Sequence, residues 1–133
     1  MIFASDNWAG AHPEIAAALT EAAGGFDSAY GSGAWDQRIA AHFSAIFERE
    51  VAVFFVSTGT AANSLALASV SKPGGVVFCP PEAHIREDEC GAPEFFSSGL
   101  RLYAVAGSQG KMDAGRLERE IGLFRPGFVH GGR

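Results

Sequence analysis

With 133 residues, 47% of them hydrophobic and 19% charged, the chain has the length and make-up of one ordinary globular domain. Its net charge of -5 and its scattered lysines and arginines exclude the clustered basic footprint of a nucleic-acid binder. The longest apolar run, residues 51–56, is too short to span a membrane; MIFASDNW lacks the basic and apolar regions of a signal peptide, and Cys79 and Cys90 are too few for a disulfide framework, so reduced thiols and a cytoplasmic location are expected.

The glycines fall at element ends rather than in a repeat, which suits a loop-rich α/β chain. AHPEIAAALTEAAGG places Pro13 in a first helical turn, an alanine-rich body behind it and Gly24-Gly25 as the stop, so a helix is expected there. FDSAYGSG follows as a loop. From Ala34 to Glu48, Trp35, Ile39, Phe43, Ile46 and Phe47 recur at spacings of three and four, which predicts an amphipathic helix with a core-facing stripe. Residues 51–56 read as a short strand in a sheet covered on both faces. A helix is expected over 60–70, a turn at SKPGG and a second buried strand at VVFC. HIREDEC suits a short polar helix ended by Gly91 and Pro93. LRLYAV has the composition of a third strand, SQGKMD that of a turn, and Asp113 is placed to cap a helix over 114–122. GFVH has the composition to begin a fourth strand. Strand and helix alternate, as in a parallel α/β sheet. A parallel strand needs a following helix for cover, so the sheet is expected to be incomplete and the chain to be the front part of something larger.

Two segments carry chemistry. Ser57, Thr58, Gly59 and Thr60 place hydroxyls and free amides at a helix start, where the positive end of the helix favours an anion. A Walker A loop is excluded because no Gly-Lys-Ser/Thr closes the turn, and GxGxxG is absent. What remains is a phosphate held by hydroxyls and amides, or an ordinary capped helix. In CPPEAHIREDECGAPEF, His84 stands at a helix start just past a buried strand, where α/β proteins place ligands. Metal binding is an alternative, but HExxH is absent and no second histidine is near. Glu87, Asp88 and Glu89 have the pattern of a solvated helix face, and Cys90 that of a small core residue. His12 and His42 read as surface or helix-packing residues.

Taken together, these segments resemble the threonine aldolase group of the β-eliminating lyases, which use pyridoxal phosphate. The resemblance runs along nearly the whole chain, through SDNWAGAHPEI, YGSG, STGTAAN, EAHIREDECGAPEF and GFVHGG in that order. It implies a three-layer, mostly parallel α/β large domain of the pyridoxal phosphate transferase type, here its N-terminal part over residues 1–133. It implies that Gly59, Thr60 and Ala61 hold the cofactor phosphate. His84 would stack on the pyridine ring and take part in proton transfer, and Glu89 would be an acid close to the site. Ser5 would bind the substrate carboxylate, Tyr30 would reach the site of a neighbouring subunit, and His130 would lie near the β-hydroxyl. The implied reaction is cleavage of threonine-like β-hydroxy amino acids to glycine and an aldehyde, in a homotetramer with shared sites. Other pyridoxal phosphate activities, β-elimination or racemisation, share the phosphate loop.

The sequence also departs from the family. YGSG lacks the acidic residues common in that loop, and Pro80 stands where relatives often have histidine. The family's cofactor lysine, the aspartate at the pyridine nitrogen and the carboxylate-binding arginines fall beyond Arg133. The chemistry needs an amine that bonds the cofactor, normally a lysine. Lys72 and Lys111 both lie in turns, and neither is expected to reach the cofactor. This stretch alone is therefore expected not to turn over, and a non-catalytic, subunit-pairing remnant is the rival reading.

Overall fold

The computed structural model describes residues 8–124. The chain divides into two compact units, Met1–Phe54 and Phe55–Arg133.

The first unit holds two helices, α1 (Pro13–Ala23) and α2 (Ala34–Ile46). Proline is tolerated at the start of α1 because that amide has no helical acceptor to lose. His12 caps the helix, its Nδ1 accepting the Glu14 N–H at 3.4 Å. The start of α2 is held more firmly. The Asp27 carboxylate accepts the amides of Ser28 at 2.8 Å, Ala34 at 3.1 Å and Trp35 at 3.4 Å, and Asp36 accepts the Gly33 amide at 3.0 Å. A Cβ on Gly33 would stand 2.5 Å from Asp27 Oδ2, so the close approach of this carboxylate depends on glycine.

The second unit contains α3 (Gly59–Val70), β1 (Val76–Cys79), α4 (His84–Glu87), α5 (Ala92–Phe96), β2 (Arg101–Ala104), β3 (Gly107–Ser108), β4 (Lys111–Met112) and α6 (Ala114–Leu123). β1 and β2 pair in parallel, with Val76 opposite Arg101 and Cys79 opposite Ala104. A parallel pair needs a crossover connection, and α4 and α5 lie on it. Phe78 and Tyr103 are register partners and share a face of the pair, meeting edge to face at 5.6 Å. Phe124, after α6, completes the cluster at 5.4 Å from Phe78 and 4.9 Å from Tyr103. The Tyr103 hydroxyl donates to Glu120 Oε2 at 2.7 Å and ties α6 to β2. Cys79, Leu100 and Val105 are the buried apolar core. α3 packs on α5, with Ser64 and Pro93 fully buried.

The parallel pair and the elements expected near α1, α2, α3, β1, β2 and α6 are present, and Asp113 caps α6 by accepting the Arg116 amide at 2.6 Å. Several expectations are corrected. Residues 51–56 form no strand, and Phe54 and Phe55 are largely exposed, because among the described residues no strand lies beside them and a strand exists only through a neighbour. The α2 stripe has the expected period, yet Trp35, Phe43, Ile46 and Phe47 are exposed, since period makes a helix but burial needs a covering surface. Pro93 does not merely end a helix; it sits in the first turn of α5. Cys90 is exposed and left-handed (φ 51°), whereas Cys79 is the core thiol. SQGKMD is more than a turn. Gln109 and Gly110 both have positive φ, which closes a tight antiparallel hairpin between β3 and β4. The expected strand at GFVH lies outside the described residues.

Candidate functional site

The site is built within the second unit from the start of α3 and the segment after β1. Thr58 is extended (φ -142°, ψ 156°), and its Oγ1 accepts the Ala61 amide at 3.1 Å. Its carbonyl accepts the Ala62 amide at 3.1 Å, the first bond of the helix ladder. The amides of Gly59 and Thr60 have no acceptor among the described residues. These donors stand at the positive end of a helix of 12 residues that carries no acidic residue in its first turn. Gly59 adds no side chain, and a Cβ there would meet nothing within 4 Å. Of Gly59, Thr60 and Ala61, the first two keep their amides free among the described residues, while the Ala61 amide is taken by Thr58.

His84 opens α4, five residues past the C-terminal end of β1. Its side chain is 65% exposed, while that of Glu89, its partner, is fully buried. His84 Nδ1 and Glu89 Oε1 are 2.8 Å apart. Asn63 of α3 donates its amide to the same Oε1 at 2.6 Å. Glu89 Oε2 is buried and has no partner among the described residues. Burying a carboxylate is costly unless donors meet it, so the two hydrogen bonds explain how Glu89 is tolerated inside. The expectation of a solvated acidic face holds for exposed Glu87 and Asp88 and fails for Glu89. The reason is the backbone after α4. Cys90 and Gly91 are both left-handed (φ 51° and 76°), and the chain turns sharply there, between α4 and α5.

Around this cluster, Cys79 is buried at the end of β1. Burial pushes its thiol up from the ordinary value, opposed by the positive charge of Arg86 and aided by Glu94. A thiol held neutral in this way is a packing group rather than a nucleophile. Arg86 donates to the Pro81 carbonyl at 2.6 Å and pairs with Glu87 at 2.5 Å, which fixes the turn before α4. Lys72 lies beyond the C-terminal end of α3, and a helix of this length separates it from Thr58 by about 18 Å. Lys111 is on β4, opposite Ser108. Among the described residues no group of acidic, histidine or cysteine side chains could hold a metal ion, and no helix is long and apolar enough to cross a membrane.

Of the other expected site residues, Tyr30 belongs to the first unit, where it is fully exposed in the α1–α2 loop with φ 62°. Ser5 and His130 lie outside the described residues. Asn63 is a site residue that the sequence patterns do not single out. Its signal was an amide in the middle of a helix otherwise made of small and apolar residues, a position that does not favour asparagine.

A histidine just past a strand end, tied through Glu89 to the helix that begins at Gly59, stands on an α/β frame whose class sequence similarity identifies. Residues 3–130 match the Beta-eliminating lyase family, and the chain belongs to that family. It is 46% identical over 123 residues to the low specificity L-threonine aldolase of a Pseudomonas species and equally to that of Pseudomonas aeruginosa; each match covers 92% of this chain and 35% of the relative. The chain thus spans about a third of the length of the curated relatives it matches. The fold is also that of a Leishmania major threonine aldolase structure, with a TM-score of 0.81 at 24% identity, covering 92% of this chain and 36% of that one.

Proposed function

We propose that these residues form the phosphate-gripping and ring-stacking part of a pyridoxal phosphate-dependent lyase. Its reaction is the cleavage of L-threonine and related β-hydroxy amino acids to glycine and an aldehyde. The observation that carries the reading is the pairing of unclaimed amides at the start of α3 with an exposed histidine held by a buried carboxylate. The residues fit the cofactor: the space beside Gly59 is open, two amides point to no internal acceptor, and a helix N-terminus suits a doubly charged phosphate.

In this reading the Gly59 and Thr60 amides and the Thr60 hydroxyl hold the phosphate, with Ala61 closing the turn. His84 offers its ring face to the pyridine and moves a proton near the substrate. Ser5 binds the substrate carboxylate, Tyr30 serves a neighbouring subunit, and His130 lies near the β-hydroxyl. When bound, the cofactor withdraws electrons from the substrate's Cα. The lysine that bonds it comes from outside these residues, since Lys72 is at the wrong end of α3. A cytoplasmic homotetramer, built as a dimer of dimers, completes the proposal.

The test uses the complete protein that carries this sequence, purified with pyridoxal phosphate and first weighed by intact mass. It is expected to exceed 13.9 kDa and to release acetaldehyde and glycine from L-threonine. Cofactor absorbance without acetaldehyde would refute the aldolase assignment, and a mass of 13.9 kDa without cofactor binding would favour the non-catalytic remnant.

A further inference from the structure

The structure gives Asn63 and Glu89 work that the roles above do not use. Asn63 and His84 both meet Glu89 Oε1, at 2.6 and 2.8 Å, while Oε2 is buried and unmet among the described residues. A glutamate's terminal torsion is soft, so nothing internal to the side chain selects one oxygen for His84. Asn63 supplies that selection from the α3 side. We infer that Asn63 and Glu89 are positioning residues for His84: together they fix the proton on Nδ1, leave Nε2 as the free acceptor on the exposed side, and lock the ring to the helix whose start is the proposed phosphate site.

The argument is one of donors and acceptors. A carboxylate only accepts, so Nδ1 must donate to Oε1. In the neutral ring Nε2 then carries a lone pair and can take a proton from a group in front of it. The opposite tautomer would present an N–H there and could only donate. The geometry therefore sets the direction of the first proton transfer at His84. The tautomer stands on this structure alone, and its catalytic consequence rests on the aldolase reading.

The test is solid-state NMR of the complete, cofactor-free protein labelled with 15N-histidine, well above the ordinary imidazole range of pH, with the His84→Gln spectrum subtracted. The expected His84 signal is a single tautomer with Nδ1–H and bare Nε2; an Nε2–H ring or an even mixture overturns the proposal. Glu89→Gln keeps an acceptor and is expected to retain the tautomer, while Glu89→Leu, close in size, is expected to lose it. Equal behaviour of the two variants would show that Glu89 only fills space. Asn63→Leu, or Asn63→Ala where the leucine variant does not fold, leaves the carboxylate as acceptor and is expected to keep the Nδ1–H tautomer but to broaden its signal, because the ring is no longer held to one oxygen; an unchanged signal removes Asn63 from the proposal.

In the loaded enzyme, Glu89→Leu and Asn63→Ala are each expected to lower kcat about 10–100-fold with little change in KM, as for the loss of a hydrogen bond that orients a functional histidine. The double variant is expected to be no worse than the poorer single one, because both act through one bond network. Additive losses overturn the coupling. Absence of acetaldehyde from the unmutated enzyme would refute the aldolase reading while leaving the tautomer result decided.

Discussion

Gly59→Ala separates a glycine kept for the fold from one kept for a ligand. Gly59 is the first residue of α3, is not in the left-handed region, and a Cβ built there meets nothing within 4 Å. Neither the backbone nor the packing of the described residues requires glycine there. Replacing it with alanine at a compatible helical position stabilises the folded state by about 0.4–1 kcal/mol, through the lower entropy of the unfolded chain. If the open space is where a phosphate sits, the same methyl group obstructs it, and a tenfold loss of affinity is about 1.4 kcal/mol. At a ligand concentration of about 100 times the unmutated Kd, pyridoxal phosphate would stabilise the unmutated protein by about 2.7 kcal/mol. The variant would gain only about 1.4 kcal/mol under the same conditions. The order of stability therefore inverts: the variant is the more stable without cofactor and the less stable with it. Denaturant unfolding of the complete protein, with and without pyridoxal phosphate, reads both halves. A variant that is weaker without cofactor would mean that Gly59 serves the fold. An unchanged cofactor affinity would mean that the phosphate does not lie beside it.

Gly107 poses the converse case. A Cβ there would fall 1.8 Å from the Lys111 carbonyl oxygen and 2.7 Å from the Asp113 amide, both backbone atoms, so Gly107→Ala is expected to unpair β3 from β4; unchanged amide protection at Ser108 and Lys111 would contradict this. Backbone hydrogen bonds from Ala34, Ser28 and Trp35 hold the Asp27 carboxyl below its ordinary value of 3.8, so its cap on α2 is fully present above 3.8 and is lost as pH falls through the lowered value. The Ser28 and Ala34 amide resonances should therefore titrate with a midpoint below 3.8, and a midpoint at or above it would count against the cap. Burial raises the Cys79 thiol above 9.0, so its contribution is intact below 9.0 and is lost as pH climbs through the raised value. Denaturation midpoints should fall across that alkaline window in the unmutated protein and stay flatter in Cys79→Ala; parallel profiles would refute the burial argument.

The sequence made legible what local rules decide. Pro13 and the Asp113 cap mark helix starts because each acts within one turn, and both stand where they were expected; at the Ser57–Thr60 turn, where the sequence singles out no one capping residue, Thr58 is the cap. VVFC and LRLYAV could be read as strands because valine, phenylalanine, leucine and tyrosine favour the pleated backbone, although the expected burial holds only for Cys79: the rest of β1 is half-buried and β2 is exposed at both ends. What failed was everything set by a distant neighbour. The run at 51–56 has strand composition but no strand beside it among the described residues. The burial of Glu89 depends on Asn63, 26 residues away, and no spacing rule announces that pair. The hairpin at 107–112 hid because glutamine is not the residue expected in the left-handed first position of its turn.

α3 explains why so much of the site is found in so short a stretch. Its start supplies unclaimed amides, its second turn supplies Asn63, and Ser64, next in line, is fully buried. α3 packs on α5, whose end is closed by the Ser97 hydroxyl bonding back to the Pro93 carbonyl at 2.5 Å. Shifting α3 along its axis would therefore move the proposed phosphate donors and the anchor of His84 together. In the proposed reading, a ring that stacks on a cofactor must keep a fixed distance from the group that holds its phosphate, and one helix carries both contacts. Lys72, past the far end of α3 and about 18 Å from Thr58, lies away from both contacts.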